Sequence, residues 1–204
     1  MILHGKQVKA VPGLVSFFAS QQQNKTNQKG ILDSFNRLDV SSFITLMGMS
    51  TRLMIAMPNS LLTFESSKEG WKKKTHQFSE GTHPQCIAFD AGNSNCAYCG
   101  MFGNGLWKTD DGGQSWNSIG ETGISSKDVM SVSVSSLERE SNGGFNTVYV
   151  GTEPTVIYRS NDGGETWQKM SSLNNLKSSS SWSFPPRPWT HHVRWIESDV
   201  NKRG

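Results

Sequence analysis

The chain has 204 residues, of which 34% are hydrophobic, and a formal net charge of +3 at pH 7. This weakly basic charge is dispersed apart from Lys72, Lys73 and Lys74, which are expected at a solvated strand end, so no nucleic-acid partner is indicated. No apolar run approaches the ~20 residues of a membrane helix, so no membrane span is expected. An odd count of three cysteines does not form a disulfide framework, and no cofactor is indicated.

Residues 1–50 differ from the rest of the chain in composition and in hydrophobic pattern. They are rich in Gln, Ser, Asn and Lys and lack strand alternation, which predicts a poorly ordered N-terminal extension with a short helix around residues 30–38. An internal start near Met47 or Met49 is an alternative. The apolar segment over residues 10–20 is interrupted by Pro and Gly, which argues against a signal peptide, so a cytoplasmic location is expected.

The first strand pattern covers residues 52–57, and residues 60–65 form its hairpin partner across the Pro58-Asn59 turn. Two longer series of strand patterns follow. The first series is predicted at residues 85–90, 96–100, 105–109 and 116–119. The second is predicted at residues 129–135, 147–151, 156–160 and 167–170. A further strand is predicted at residues 193–197.

The two series are copies of one repeat. Asp111 and Asp162, and likewise Gly100 and Gly151, are each 51 residues apart. Each copy ends one strand, makes an Asp/Gly turn and begins the next strand with tryptophan, as a hairpin does. A fixed period of this size is typical of propellers, solenoids or arrays.

The turn sequence S/T-x-D-x-G-x-S/T-W, present at residues 109–116 and 160–167, resembles the Asp-box, or BNR, repeat of sialidase-like β-propellers. The resemblance implies an all-β fold, a partial β-propeller of four-stranded antiparallel blades in an incomplete ring. It divides the chain into a partial blade at 51–81, blades at 82–120 and 121–173, and a loop with the first strand of a next blade at 174–204. Residues 66–71 look like a decayed copy of the turn. Two complete copies cannot close a ring, so an N-terminal fragment of a longer propeller is expected.

The acidic turns are interpreted as structural rather than catalytic. An Asp folded back on its own turn stabilises the hairpin, Gly permits the backbone dihedrals, and Trp packs between sheets. The residues assigned to this structural role are Thr109, Asp111, Gly113, Trp116, Ser160, Asp162, Gly164 and Trp167. The resemblance implies that these turns lie on the rim away from the central pocket.

Cys96 and Cys99 have the CxxC spacing of zinc and redox sites. They lie in a predicted strand, where residues three apart point to opposite faces, and no second CxxC follows. Buried small side chains are therefore the preferred interpretation, and no metal site is predicted.

The candidate binding surface is the long connection after residue 170, which the resemblance places on the pocket face. Its prolines stiffen the chain, its tryptophans suit sugar rings or other flat apolar ligands, and its arginines can grip a carboxylate or phosphate. The candidate residues are Trp182, Arg187, Trp189, His191, His192 and Arg194, with His83 from an equivalent Thr-His pair upstream. The alternative is that this loop only fills the channel and that the histidines only begin strands.

Two functions are open at this point, and a third possibility beside both is that the chain is a fragment of a longer propeller with no independent activity. The first is a non-catalytic propeller module that binds a protein or carbohydrate, like the photosystem assembly factors and sortilin-type receptors that share this repeat. The second is a sialidase-like glycoside hydrolase lacking much of its active site, since no Phe/Tyr-Arg-Ile-Pro motif is present. Open sheet edges would also favour self-association of the chain.

Overall fold

A computed structural model of the chain describes residues 6–11, 14–19, 52–67, 69–139, 146–199 and 201–202, with the backbone alone at 6–11, 14–19, 139 and 146. These residues form three β-sheets and one short 3-10 helix at Lys177–Ser181. The predicted all-β fold class is therefore confirmed. The sheets stack face to face like adjacent propeller blades and do not close into a ring.

The first sheet has five strands in the order of the chain. They are β1 (Lys6–Val11), β2 (Leu14–Ala19), β3 (Arg52–Met57), β4 (Ser60–Ser67) and β5 (Gly70–Gln77). All neighbours are antiparallel except β2 and β3, which run parallel with Phe17 opposite Ile55. The exposed lysines at positions 72 to 74 lie on β5 at the edge of this sheet.

Strands β1 and β2 lie in the segment that was expected to be a poorly ordered extension. Val15, Phe17 and Phe18 have the β-branched and aromatic side chains that favour strands, and β2 adds to the edge of β3. Their apolar pattern is short and surrounded by polar residues, so the sequence alone does not predict these strands. The helix expected around residues 30–38 lies outside the described residues.

The middle and third sheets each have four antiparallel strands. The middle sheet contains β6 (His83–Asp90), β7 (Asn93–Phe102), β8 (Gly105–Thr109) and β9 (Asn117–Ile119). The third contains β10 (Val129–Arg139), β11 (Asn146–Thr152), β12 (Ile157–Ser160) and β13 (Gln168–Met170). The eight strands occur in the order and within a few residues of the positions that the repeat predicts.

Two apolar cores hold the sheets together. The core between the first and middle sheets includes Met54, Leu61, Cys99 and Trp116. The core between the middle and third sheets includes Cys96, Tyr98 and, from the third sheet, Tyr158 and buried valines. Cys96 and Cys99 therefore point to opposite faces of β7, as predicted.

The strand predicted at residues 193–197 is not formed. This segment lies against the third sheet, where Val193 N donates to Thr152 O over 3.1 Å and the Ser131 hydroxyl donates to Val193 O over 2.6 Å. Ser133 and Ser198 also contact each other through their hydroxyls. Scattered contacts to serine side chains replace the backbone ladder that a strand requires.

The turn at residues 66–71 also differs from the two acidic turns. Ser66 pairs with Trp71 and Ser67 with Gly70, so β4 and β5 are joined by a tight hairpin. Trp71 is 44% exposed, whereas Trp116 is buried in the core. Without an Asp to order a longer turn, the tryptophan is not directed between the sheets.

Candidate functional site

The turn at residues 109–116 is built around the carboxylate of Asp111. Its Oδ1 accepts hydrogen bonds from the Thr109 hydroxyl at 2.8 Å, Gln114 N at 2.8 Å and Ser115 N at 2.9 Å. Its Oδ2 accepts from the Ser115 hydroxyl at 2.6 Å. Gly113, with φ of 86°, donates its N–H to the Thr109 hydroxyl oxygen at 2.8 Å.

The turn at residues 160–167 has the same geometry. Asp162 Oδ1 accepts from the Ser160 hydroxyl at 2.7 Å, Glu165 N at 3.0 Å and Thr166 N at 2.9 Å. Its Oδ2 accepts from the Thr166 hydroxyl. Gly164 N donates to the Ser160 hydroxyl oxygen at 2.8 Å. The sequence repeat is therefore also a repeat of hydrogen bonds.

Both carboxylates are held in their ionised form. Burial alone would raise the pKa of Asp111, but hydrogen bonds from Ser115, Thr109 and Gln114 outweigh it and lower that pKa to about 2. Burial is likewise outweighed at Asp162 by hydrogen bonds from Ser160, Thr166 and Glu165, which lower its pKa to about 2. A carboxylate with these donors and this pKa is poorly suited to proton transfer near neutral pH.

Each turn also packs against the preceding sheet. Gly113 lies so close to the first sheet that a Cβ there would be 2.6 Å from Thr63 Oγ1 and 2.7 Å from Met54 Cε. In the next repeat, the Tyr98 hydroxyl of the middle sheet donates to Gly163 O over 3.1 Å. Trp167 Nε1 donates to Gly164 O over 3.0 Å. The acidic turns therefore join neighbouring sheets.

A groove lies at the other end of the strands. The turn between β11 and β12 is at this end, and the loop over residues 182–195, which we call the aromatic loop, packs beside it. The groove has a volume of about 440 Å³. Its lining residues are Thr155, Leu173, Trp182, Ser183, Phe184, His191, His192, Val193, Arg194 and Trp195.

The aromatic loop has its own internal order. Phe184 N donates to Thr190 O over 2.7 Å, and Arg187 N donates to Phe184 O over 2.7 Å. Trp182 packs edge-to-face on His191 with ring centroids 5.6 Å apart, and Phe184 packs similarly on His192 at 4.7 Å. The histidines are therefore packed against aromatic rings within the loop.

Glu153, on the turn after β11, anchors this loop. Its Oε2 accepts a hydrogen bond from Arg187 Nη2 at 2.8 Å and lies 3.4 Å from His192 Nδ1. The Arg187 guanidinium also lies over the rings of Phe102 and Phe184, at 5.4 and 5.5 Å from their centroids. Arg187 thus joins the loop to both the middle and the third sheets.

His192 is buried beside several cationic groups. Burial lowers the pKa of His192, and the neighbouring Arg194, Arg187 and His191 lower it further, while Glu153 opposes them. His191 Nδ1 and His192 Nδ1 are buried without a hydrogen-bond partner among the described residues. Neutral His192 is therefore favoured in the packed loop.

Four of the predicted candidates line the groove together: Trp182, His191, His192 and Arg194. Arg187 is instead paired with Glu153. Trp189 is 79% exposed at the tip of the loop and is not among the lining residues. His83 lies on β6 opposite Phe102 and does not line the groove either.

Sequence reasoning missed Glu153 and Phe184. Glu153 occupies the position of Phe102 in the preceding repeat, 51 residues earlier, so the repeat itself offers no acidic signal there. A comparison of the two turns could have found it, since Glu is the residue that breaks the match between them. Phe184 gave no separate signal in the sequence because it lies among the prolines and serines of the loop.

In the described part of the chain, no three His, Cys, Asp or Glu side chains converge, so these residues offer no ligand set for a metal ion. All three cysteines are free and buried. Burial raises the pKa of Cys86 to about 12 and that of Cys96 to about 11, so neither is a ready thiolate. Across the described residues, no helix has the length and apolarity needed to cross a membrane.

No protein-family model and no curated protein matches the sequence. The chain is similar to a solved structure described as YCF48 bound to D1 peptide, with 20% identity and a TM-score of 0.41, over 55% of this chain and 34% of that one. It is also similar to a GH74 xyloglucanase from Xanthomonas campestris, with 18% identity and a TM-score of 0.36, over 56% of this chain and 19% of that one. The chain thus spans about a third and a fifth of these proteins' lengths.

Proposed function

We propose that this chain is a non-catalytic, propeller-type binding module whose ligand lies on the groove beside the aromatic loop. The observation that carries the proposal is the chemistry of the groove wall. Trp182, Phe184 and Trp195 offer aromatic surface, and Arg194 offers a cation that has no hydrogen bond or ion pair to the described residues. Flat apolar surface next to a cation suits a protein or carbohydrate ligand that carries an acidic group.

The same wall argues against a glycoside hydrolase. Such enzymes use two carboxyl groups about 5 to 9.5 Å apart, or a tyrosine nucleophile with an acid. The described residues that line the groove include no Asp or Glu, and the nearby Glu153 is paired with Arg187.

The described tyrosines are engaged away from the groove. Tyr98 donates to Gly163 O, Tyr149 donates to Glu138, and the Tyr158 hydroxyl lies 2.6 Å from that of Ser125. None of them lines the groove. A tyrosine-based mechanism therefore finds no candidate among these three residues.

We further infer that the two acidic turns are Asp boxes and act as fold elements of this module. Support comes from the matched hydrogen bonds of Asp111 and Asp162 and from the contact of each turn with the preceding sheet. Their place at the far end of the strands leaves the groove as the face for a ligand.

The proposal is tested by screening the protein against arrays of peptides and oligosaccharides and then measuring the affinity of any ligand found. Trp195→Ala and Arg194→Gln, which both change residues that line the groove, should each weaken binding about tenfold or more, as loss of an aromatic or arginine contact does at interfaces. Trp71→Ala, on exposed β5, and Lys169→Gln, on exposed β13, are the matched controls and should leave the affinity unchanged. Equal affinity in all four variants, or turnover of a glycoside by the purified protein, would overturn the proposal.

A further inference from the structure

The cluster of Glu153, Arg187 and His192 holds the aromatic loop against the third sheet. We propose that it is a pH-sensitive latch, closed while His192 is neutral and released when His192 takes up a proton. Any effect of the latch on ligand binding rests on the function proposed above, whereas the pH response of the loop does not depend on a ligand.

The turn that carries Glu153 is fixed independently of the loop. Glu153 N donates to Asp128 O over 2.9 Å, and the Ser126 hydroxyl donates to Glu153 O over 2.7 Å. Asn174 holds the same turn by donating to Thr155 O over 2.6 Å. The carboxylate is thus presented by a turn whose own hydrogen bonds come from residues outside the aromatic loop.

One oxygen of this carboxylate faces two basic groups of the loop. Glu153 Oε2 is 2.8 Å from Arg187 Nη2 and 3.4 Å from His192 Nδ1. The side chains of Glu153 and His192 are each only 6% exposed. Arg187 already neutralises the carboxylate, so a second cation at His192 would be buried without a carboxylate of its own.

The charges around His192 further disfavour its protonation in the packed loop. The groups that face it are Glu153 from the turn, and Arg187, Arg194 and His191 from the loop. Two arginines and one carboxylate already give the cluster an excess positive charge. A proton on His192 adds to that excess in a site packed against Phe184.

The direction of the effect follows from linkage. Because packing lowers the pKa of His192 below its ordinary value of 6.5, the detached loop binds the proton more readily than the packed loop. Stability of the packed loop is complete above pH 6.5 and is lost as the pH falls from there through the lowered pKa. Each unit by which packing lowers the pKa changes the ratio of detached to packed loop by about tenfold.

The test follows Trp182, which packs on His191 in the loop, by 19F NMR of protein labelled with 5-fluorotryptophan, with the signal assigned by Trp182→Phe. From pH 8 to pH 5 the Trp182 signal should move toward its position in a detached loop, with a midpoint below 6.5. His192→Gln should abolish this transition. His191→Gln is the matched control and should keep it.

Arg187→Gln provides a second variant that removes the ion pair without touching a histidine, and it should place the Trp182 signal near the detached position already at pH 8. A Trp182 signal that is independent of pH in the parent protein, or a transition that survives in His192→Gln, would overturn the latch. The readout needs no ligand. A protein with a working latch and no ligand at the groove would therefore contradict only the proposed function.

Discussion

Asp111 and Asp162 use their carboxylates to order their own turns. Each accepts hydrogen bonds on both oxygens from hydroxyls and backbone amides within five residues of chain, and each has its pKa lowered to about 2 as a net result. The neighbouring Asp110 differs sharply, because its side chain is 61% exposed and has one ion pair, with Lys108 at 3.1 Å. Two adjacent aspartates in one turn therefore allow a matched comparison.

Asp111→Asn should destabilise the protein by about 1–2 kcal/mol, because an amide nitrogen cannot accept the bond from the Ser115 hydroxyl and the remaining oxygen loses its charge. Asp110→Asn, the control, should change the free energy of unfolding by less than about 0.5 kcal/mol, as exposed ion pairs usually do. Urea denaturation at pH 7 measures both. Similar values for the two variants would show that the carboxylate does not organise the turn.

The same pair predicts a pH dependence. A carboxyl group whose folded pKa is about 2 and whose unfolded pKa is about 3.9 contributes stability above pH 4 and loses it as the pH falls toward 2. The parent protein and Asp110→Asn should therefore lose stability over this window more steeply than Asp111→Asn.

At the scale of elements, the acidic turns join one sheet to the next. Gly113 and Gly105 both have positive φ, of 86° and 70°, but only Gly113 faces another sheet at close range. A Cβ at Gly105 would meet nothing within 4 Å. Substitution of these two glycines therefore distinguishes the cost of backbone strain from the cost of disturbed packing between sheets.

Gly105→Ala should cost about 1 kcal/mol, from the left-handed backbone alone. Gly113→Ala should cost about 2–4 kcal/mol, because its Cβ also meets Thr63 and Met54. Chemical denaturation of the two variants gives the comparison. If the costs are equal, the contact between the turn and the first sheet contributes little.

Much of this architecture can be predicted from the sequence, because its signals are local. Alternation along β7 correctly places Cys96 and Cys99 on opposite faces, and the Asp/Gly turns follow from the chemistry of single residues. The pairing of Arg187 with Glu153 could not be predicted, since its partner lies 34 residues away in a turn with no matching signal. The predicted strand at residues 193–197 failed for a similar reason. Its pattern fits a strand, but a strand also requires a partner with a free backbone edge.

At the scale of the whole molecule, the three sheets separate two kinds of surface. One end of the strands carries the acidic turns, whose Asp111 and Asp162 carboxylates are satisfied by hydrogen bonds within each turn. The other end carries the groove, where Arg194 and buried histidine nitrogens remain without hydrogen-bond partners among the described residues. A ligand gains most where polar groups lack a partner, and this supports the proposed assignment of binding to the groove.

Hydrogen–deuterium exchange, with and without a ligand from the array screen, tests this assignment most directly. Binding at the groove predicts slower exchange at residues 153–155 and 182–195 when the ligand is bound, with no change at residues 109–116 and 160–167. Protection confined to the two acidic turns would contradict it.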